Sequence, residues 1–94
     1  MYRAEIIANR SIQDETIAAL EATLPKIRYT VLPDIQGRGK DDRKLGTVTW
    51  PELNFVLFSY VDDGEISAVR AVVDDIKRRF PNEGMKAFFV PGCE

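Results

Sequence analysis

No histidine occurs in this 94-residue chain. That removes Ser-His-Asp and Cys-His nucleophilic catalysis, both of which need an imidazole titrating near neutrality. Cysteine is nearly absent as well, Cys93 being the only one. A single thiol cannot close an internal disulfide, so a reducing cytoplasm is the expected setting. One thiol without imidazoles also falls short of a zinc centre. No apolar run approaches the ~20 residues of a membrane-spanning helix. Among the longest, Phe55-Val56-Leu57-Phe58 suits a buried strand. Met1-Tyr2-Arg3-Ala4-Glu5 is not the basic-then-apolar opening of a secretory leader, so neither export nor membrane insertion is expected. Neither sign of charge dominates: 13 Lys+Arg against 15 Asp+Glu leave a net −2, which does not favour nucleic acid as a partner. Carboxylate chemistry, hard-cation binding or no chemistry remain. The expectation is the last, a protein that is not an enzyme, with no catalytic residue and no metal site assigned.

What is present describes one globular domain spanning residues 1–94. Apolar residues make 45% of the chain and charged residues 30%, enough of the former to exclude a disordered tail. Tyr2 to Ala8 alternates, with Tyr2, Ala4, Ile6 and Ala8 on one face, and reads as a first strand. Ser11 is the expected N-cap of a helix that carries Asp14 in its first turn. Ile17, Leu20 and Leu24 recur at helical spacing, and Pro25 ends the helix. Ile27 to Ile35 reads as a second strand, in which Pro33 requires an edge or a bulge because it has no N–H to donate.

A third strand is expected from about Val48 to Val61, with Trp50-Pro51 as its point of interruption. Asp62-Asp63-Gly64 then turns into a second helix, where Ile66, Val69, Val73, Ile76 and Phe80 form an apolar stripe. Lys77, Arg78 and Arg79 suit the negative end of its dipole. Met85 to Val90 is the last strand. The order βαββαβ predicts an α+β, ferredoxin-like domain: an antiparallel four-stranded sheet with two helices on one face.

One pattern exceeds what such a domain needs. Phe55, Leu57 and Val61 lie on one face of the third strand, but Val56, Phe58 and Tyr60 make the other face apolar too. Two helices cover only one side of the sheet, and small domains gain from association. A homo-oligomer packing its sheets together through Phe58 and Tyr60 is therefore expected. The alternative is that shifted strand registers place these residues at edges.

Between the second and third strands, Gly37 to Lys44 (GRGKDDRK) contains no apolar residue. Backbone N–H groups of such a stretch can cradle a phosphate or anionic metabolite, with Arg38, Lys40, Arg43 and Lys44 supplying charge. It reads equally as a solvated hairpin tip. The Asp pairs 41–42, 62–63 and 74–75 point to different sides of their elements and read as turn and surface residues rather than a cation site. Trp50 reads as packing at the base of the loop, and Cys93 as unreactive.

Tyr29-Thr30-Val31-Leu32-Pro33-Asp34-Ile35-Gln36-Gly37-Arg38-Gly39-Lys40 resembles the end of the second strand in nitrogen-regulatory PII proteins, where a Thr-Val pair leads to Gly-x-Gly and a basic residue. Pro51 to Val61 is similar to the strand that follows the long T-loop of that family, and Lys86-Ala87-Phe88 to the Lys-Ile-Phe of its last strand. The resemblance covers nearly the whole chain, although Gly-x-Gly alone is a weak motif. It implies a regulatory homotrimer that binds an adenine nucleotide or other anionic effector in clefts between protomers. It also implies a T-loop, here about 37–51, presented to a transporter, enzyme or transcription factor. In that case Gly37 and Gly39 fall at the nucleotide-facing backbone, Thr30 near the base, and Arg38, Lys40 and Lys86 toward phosphate.

The departures are specific. Gly37 to Pro51 is about a third shorter than the family's loop and holds no modifiable tyrosine. Arg79-Phe80-Pro81-Asn82-Glu83-Gly84-Met85-Lys86 stands where the family has a glycine-rich nucleotide loop, and keeps one glycine. Within these 94 residues the family's C-terminal phosphate-binding arginines have no counterpart. Two alternatives share the plan: a trimer similar to the CutA proteins, linked to divalent-cation tolerance, and a trimeric adaptor without a ligand.

Overall fold

The computed structural model describes residues 1–39, 43–44 and 52–94. Its elements are β1 (Tyr2–Asn9), α1 (Gln13–Thr23), β2 (Thr30–Ile35), β3 (Gly37–Arg38), β4 (Arg43–Lys44), β5 (Asn54–Val61), α2 (Ile66–Arg79) and β6 (Met85–Pro91). Four strands form one sheet in the order β2-β5-β1-β6, and β3 with β4 forms a separate two-stranded ribbon. The pairings of the main sheet are antiparallel throughout. This is the expected α+β, ferredoxin-like plan.

Alternation in β1 decides which side is the core. Ala4, Ile6 and Ala8 are buried, and their cross-strand partners are Ser59, Leu57 and Phe55 on β5 and Phe89, Ala87 and Met85 on β6. The helices lie over this face. α2 contributes Val69, Val72, Val73 and Ile76, and α1 contributes Thr16 and Leu20 below Ile12 of the preceding 3₁₀ turn. Val72 widens the stripe read from the sequence, as an apolar face of ~100° requires. Thr16 is a buried hydroxyl within an apolar stripe. It is accommodated because its Oγ1 donates to the Ile12 carbonyl at 2.7 Å, so no polar group is left unpaired. Ser59 solves the same problem by donating to the Arg28 carbonyl at 2.7 Å, which ties β5 to the segment before β2.

Three local expectations change. Asn9, not Ser11, caps the first helical segment: its Oδ1 accepts from the Ser11 N–H at 2.9 Å. The cap precedes a 3₁₀ turn (Arg10–Ile12), which a reading based on α-helical caps alone does not anticipate. β2 starts at Thr30 rather than Ile27. β5 starts at Asn54, with Glu52 and Leu53 outside any strand, while residues 48–51 of the expected strand, with Trp50-Pro51, lie outside the described residues.

The second helix enters through another 3₁₀ turn, Asp63–Glu65, where the Glu65 carboxylate accepts from the Asp62 N–H at 2.8 Å. Such a reciprocal acidic turn satisfies donors that the helix cannot. Pro33 sits where its missing donor matters least. β2 is an edge strand, and its register slips by one residue between Leu32 and Ile35. Asp34 in that bulge takes a left-handed backbone with φ 54.

Candidate functional site

The sheet face turned away from the helices carries the candidate residues. Register places Thr30, Phe58, Glu5 and Phe88 in one row across the four strands, and Leu32, Val56, Ile7 and Lys86 in the next. Tyr60, Arg3 and Val90 continue it toward the other end. Among the described residues no helix lies over this face, and large apolar groups meet solvent: Tyr60 is 63% exposed, and Leu32 and Phe88 each 46%. One charged pair crosses the apolar field, Arg3 Nη2 being 2.9 Å from Glu5 Oε1, with the Arg3 guanidinium 5.7 Å from the centre of the Phe58 ring. The Arg3 Nε is buried without an acceptor among the described residues.

The expected effector residues separate into two groups. Thr30 is exposed on edge strand β2, while Gly37, Arg38 and Gly39 follow just beyond it, where Gly37 and Arg38 pair with Lys44 and Arg43 as the ribbon. Residues 40–42, between the two paired ends, lie outside the described residues, so the pairing is compatible with both readings of GRGKDDRK. Gly37 packs tightly, since a Cβ there would stand 3.0 Å from the Asn54 side-chain amide. A Cβ at Gly39 would meet nothing within 4 Å among the described residues. Lys40 lies outside the described residues.

Lys86 is exposed on β6, the opposite edge of the sheet. Three strand spacings of ~4.8 Å separate it from the Thr30 edge, about 14 Å. Within one copy these residues do not converge. No group of three or more His, Cys, Asp or Glu able to hold a metal occurs among the described residues. No helix there is long and apolar enough to cross a membrane.

Two features escaped sequence reading. Arg10 Nη1 lies 2.8 Å from Asp34 Oδ1, and the Arg10 N–H donates to the Leu53 carbonyl at 2.9 Å. One residue thereby touches the chain on both sides of the 37–51 segment. The contacts span 24 and 43 positions, a range over which local pattern carries no signal. The second is a groove of about 150 Å³ between α2 and β6, lined by Arg70, Val73, Asp74, Lys77, Ala87 and Phe89.

No family model and no curated protein matches this sequence. Solved structures do match. The chain superimposes on CPII, a nitrogen regulatory PII-like protein from Thiomonas intermedia K12 bound to ADP, AMP and bicarbonate, with a TM-score of 0.69 at 14% identity, covering 94% of this chain and 81% of that one. A protein of Thermus thermophilus proposed as a PII-like signalling protein gives 0.61 at 17% identity, over 94% and 82%. The de novo designed protein Foldit4 gives 0.62 at 11% identity over 98% of both chains. A designed scaffold at that level means that the likeness is one of architecture. The chain has the ferredoxin-like α+β fold of the PII-like proteins.

Proposed function

We propose that this chain is a small PII-like regulatory protein rather than an enzyme, assembled as a homotrimer in a reducing cytoplasm. It binds an anionic effector, an adenine nucleotide in the first instance, in clefts between protomers, and presents the short loop of about residues 37–51 to a protein partner. The observation that carries this reading is the separation of Thr30 and Gly37–Gly39 from Lys86 at opposite edges of one sheet whose exposed face is apolar. A second copy packed against that face would bring the β2 edge of one protomer toward the β6 edge of the next, completing a site that neither holds alone. Phe58 and Tyr60 then belong to the interface, and Arg38, Lys40 and Lys86 supply charge for phosphate. CPII, the protein of like fold, is bound to ADP, AMP and bicarbonate.

Native mass spectrometry tests it, with ADP, ATP, AMP and cyclic AMP added in turn. A trimer gaining up to three nucleotides is the expected result, with Gly39→Val and Lys86→Ala lowering occupancy and leaving the trimer intact. A trimer that takes none of the four leaves the assembly and removes the nucleotide. A monomer removes the reading.

A further inference from the structure

β6 is the other edge of the sheet, and its outer side is unpaired among the described residues. The Asn9 N–H donates to the Gly84 carbonyl, and the Gly92 N–H to the Met1 carbonyl. With the register Ile7↔Lys86, these two bonds show which residues face β1: the even-numbered ones. In an antiparallel ladder the alternate residues then point their N–H and C=O outward. At this edge they are Met85, Ala87 and Phe89, while Pro91 has no N–H and ends the run.

Ala87 and Phe89 also floor the groove beside α2. Arg70 and Lys77 stand on its helical side, seven residues and so about 10 Å apart along the axis. Arg70 stacks on the Phe89 ring at 4.5 Å, and neither cation is in an ion pair among the described residues. Asp74 is the one carboxylate lining the groove. Lys86 adds a third cation on the open-face side of the edge. In a chain of net charge −2 this edge is locally basic. The groove is below the ~300 Å³ usual for small-molecule sites, which suits side chains better than a whole metabolite.

We propose that the β6 edge is a docking site for an extended acidic protein segment, added as a fifth strand. Its backbone pairs with Ala87 and Phe89, and acidic side chains at alternate positions, ~7 Å apart, reach Arg70 and Lys77. A second copy of this chain is a poorer occupant, because its β2 edge is interrupted by Pro33 and the Asp34 bulge, and its β6 edge carries the same cations, Arg70 and Lys77. Within one copy this edge lies opposite β2; it shares Lys86 with the effector cleft proposed above, and the proposal rests on that cleft leaving the Ala87 and Phe89 backbone groups open.

The probe is a fluorescein-labelled octapeptide of alternating glutamate and valine, measured by fluorescence anisotropy beside its lysine–valine counterpart. Amide hydrogen exchange is followed at Ala87 and Phe89. Saturable binding of the acidic peptide is expected, weakened about tenfold or more by Arg70→Glu with Lys77→Glu, together with slower exchange at both amides. Tyr60→Glu, which addresses assembly alone, is expected to bind the peptide as the parent does. Absence of saturation, equal binding of the lysine–valine peptide, or indifference to the charge reversal would each overturn the proposal. So would a change of assembly mass in the charge-reversed protein, which would assign the edge to a second copy.

Discussion

The Arg10 guanidinium reaches Asp34 across 24 residues, Nη1 to Oδ1 at 2.8 Å, and Asp34 makes that contact from a left-handed backbone with φ 54. Both side chains are more than half exposed, 60% and 54%, so the ion pair itself contributes under about 1 kcal/mol. The backbone conformation matters more. A residue unsuited to the left-handed region costs roughly 1–2 kcal/mol there, while Asn and Asp tolerate it. Asp34→Asn is accordingly expected to keep stability within about 0.5 kcal/mol. Asp34→Val is expected to lose about 1–2 kcal/mol, and Arg10→Ala less than about 1. Urea denaturation orders the three variants. Arg10→Ala costing more than Asp34→Val would mean that the ion pair outweighs the backbone.

Ser59 is buried on the helix-covered face between Leu57 and Val61, and its hydroxyl is what the Arg28 carbonyl accepts from at 2.7 Å. Ser59→Ala removes the donor without adding bulk. It is expected to cost about 1–3 kcal/mol, the penalty of a partly buried acceptor left without its partner. Faster amide exchange should follow in β2, because the bond holds the entry to that strand. If stability is unchanged in guanidinium melts, the Arg28 carbonyl has found water.

Tyr29 is held in its neutral form. Partial burial raises its phenol above the ordinary 10.0, and the Glu21 carboxylate beside it raises it further, by its charge and by accepting the phenolic hydrogen at 3.3 Å. A raised folded-state value means that the folded protein binds the proton more tightly than the unfolded chain. This stabilisation is complete below the ordinary value of 10.0 and is lost as the pH rises through the folded-state value. Melting temperatures between about pH 9 and 12 should fall less steeply in Tyr29→Phe than in the parent. Equal slopes would remove Tyr29 from the alkaline transition.

Tyr60→Glu tests the open sheet face cleanly. The side chain is 63% exposed in the single copy, so the substitution should leave monomer stability within about 0.5 kcal/mol. A carboxylate desolvated against an apolar neighbour would nonetheless disperse an assembly. Phe58→Glu should do the same, but it also removes the ring under Arg3 and places a carboxylate across from Glu5. Sedimentation velocity reads the result. Assembly masses unchanged in both variants would move the interface elsewhere.

Local chemistry made much of this molecule legible. The period-2 alternation of β1 and the helical stripe of α2 lead to a ferredoxin-like domain without any neighbour being known, because each depends on residues within one turn or one pleat. The apolar second face was legible for the same reason: Val56, Phe58 and Tyr60 alternate with the core set on a single strand. Pro33 announced its edge or bulge through one missing donor.

Tertiary structure decided what joins distant positions. Only the register shows that Thr30 and Lys86 share a face yet stand at opposite edges, because the strand order β2-β5-β1-β6 follows from how two helical crossovers pack, not from any residue in the strands. The same holds for Arg10 with Asp34, and for the Ala87 and Phe89 backbone groups turned outward beside Arg70 and Lys77. Hydrogen-bond direction alternates along a strand, and its phase is set by the partner strand alone. The sequence therefore determined the elements and their apolar faces, and the fold decided which charged and polar groups those faces bring within reach of one another.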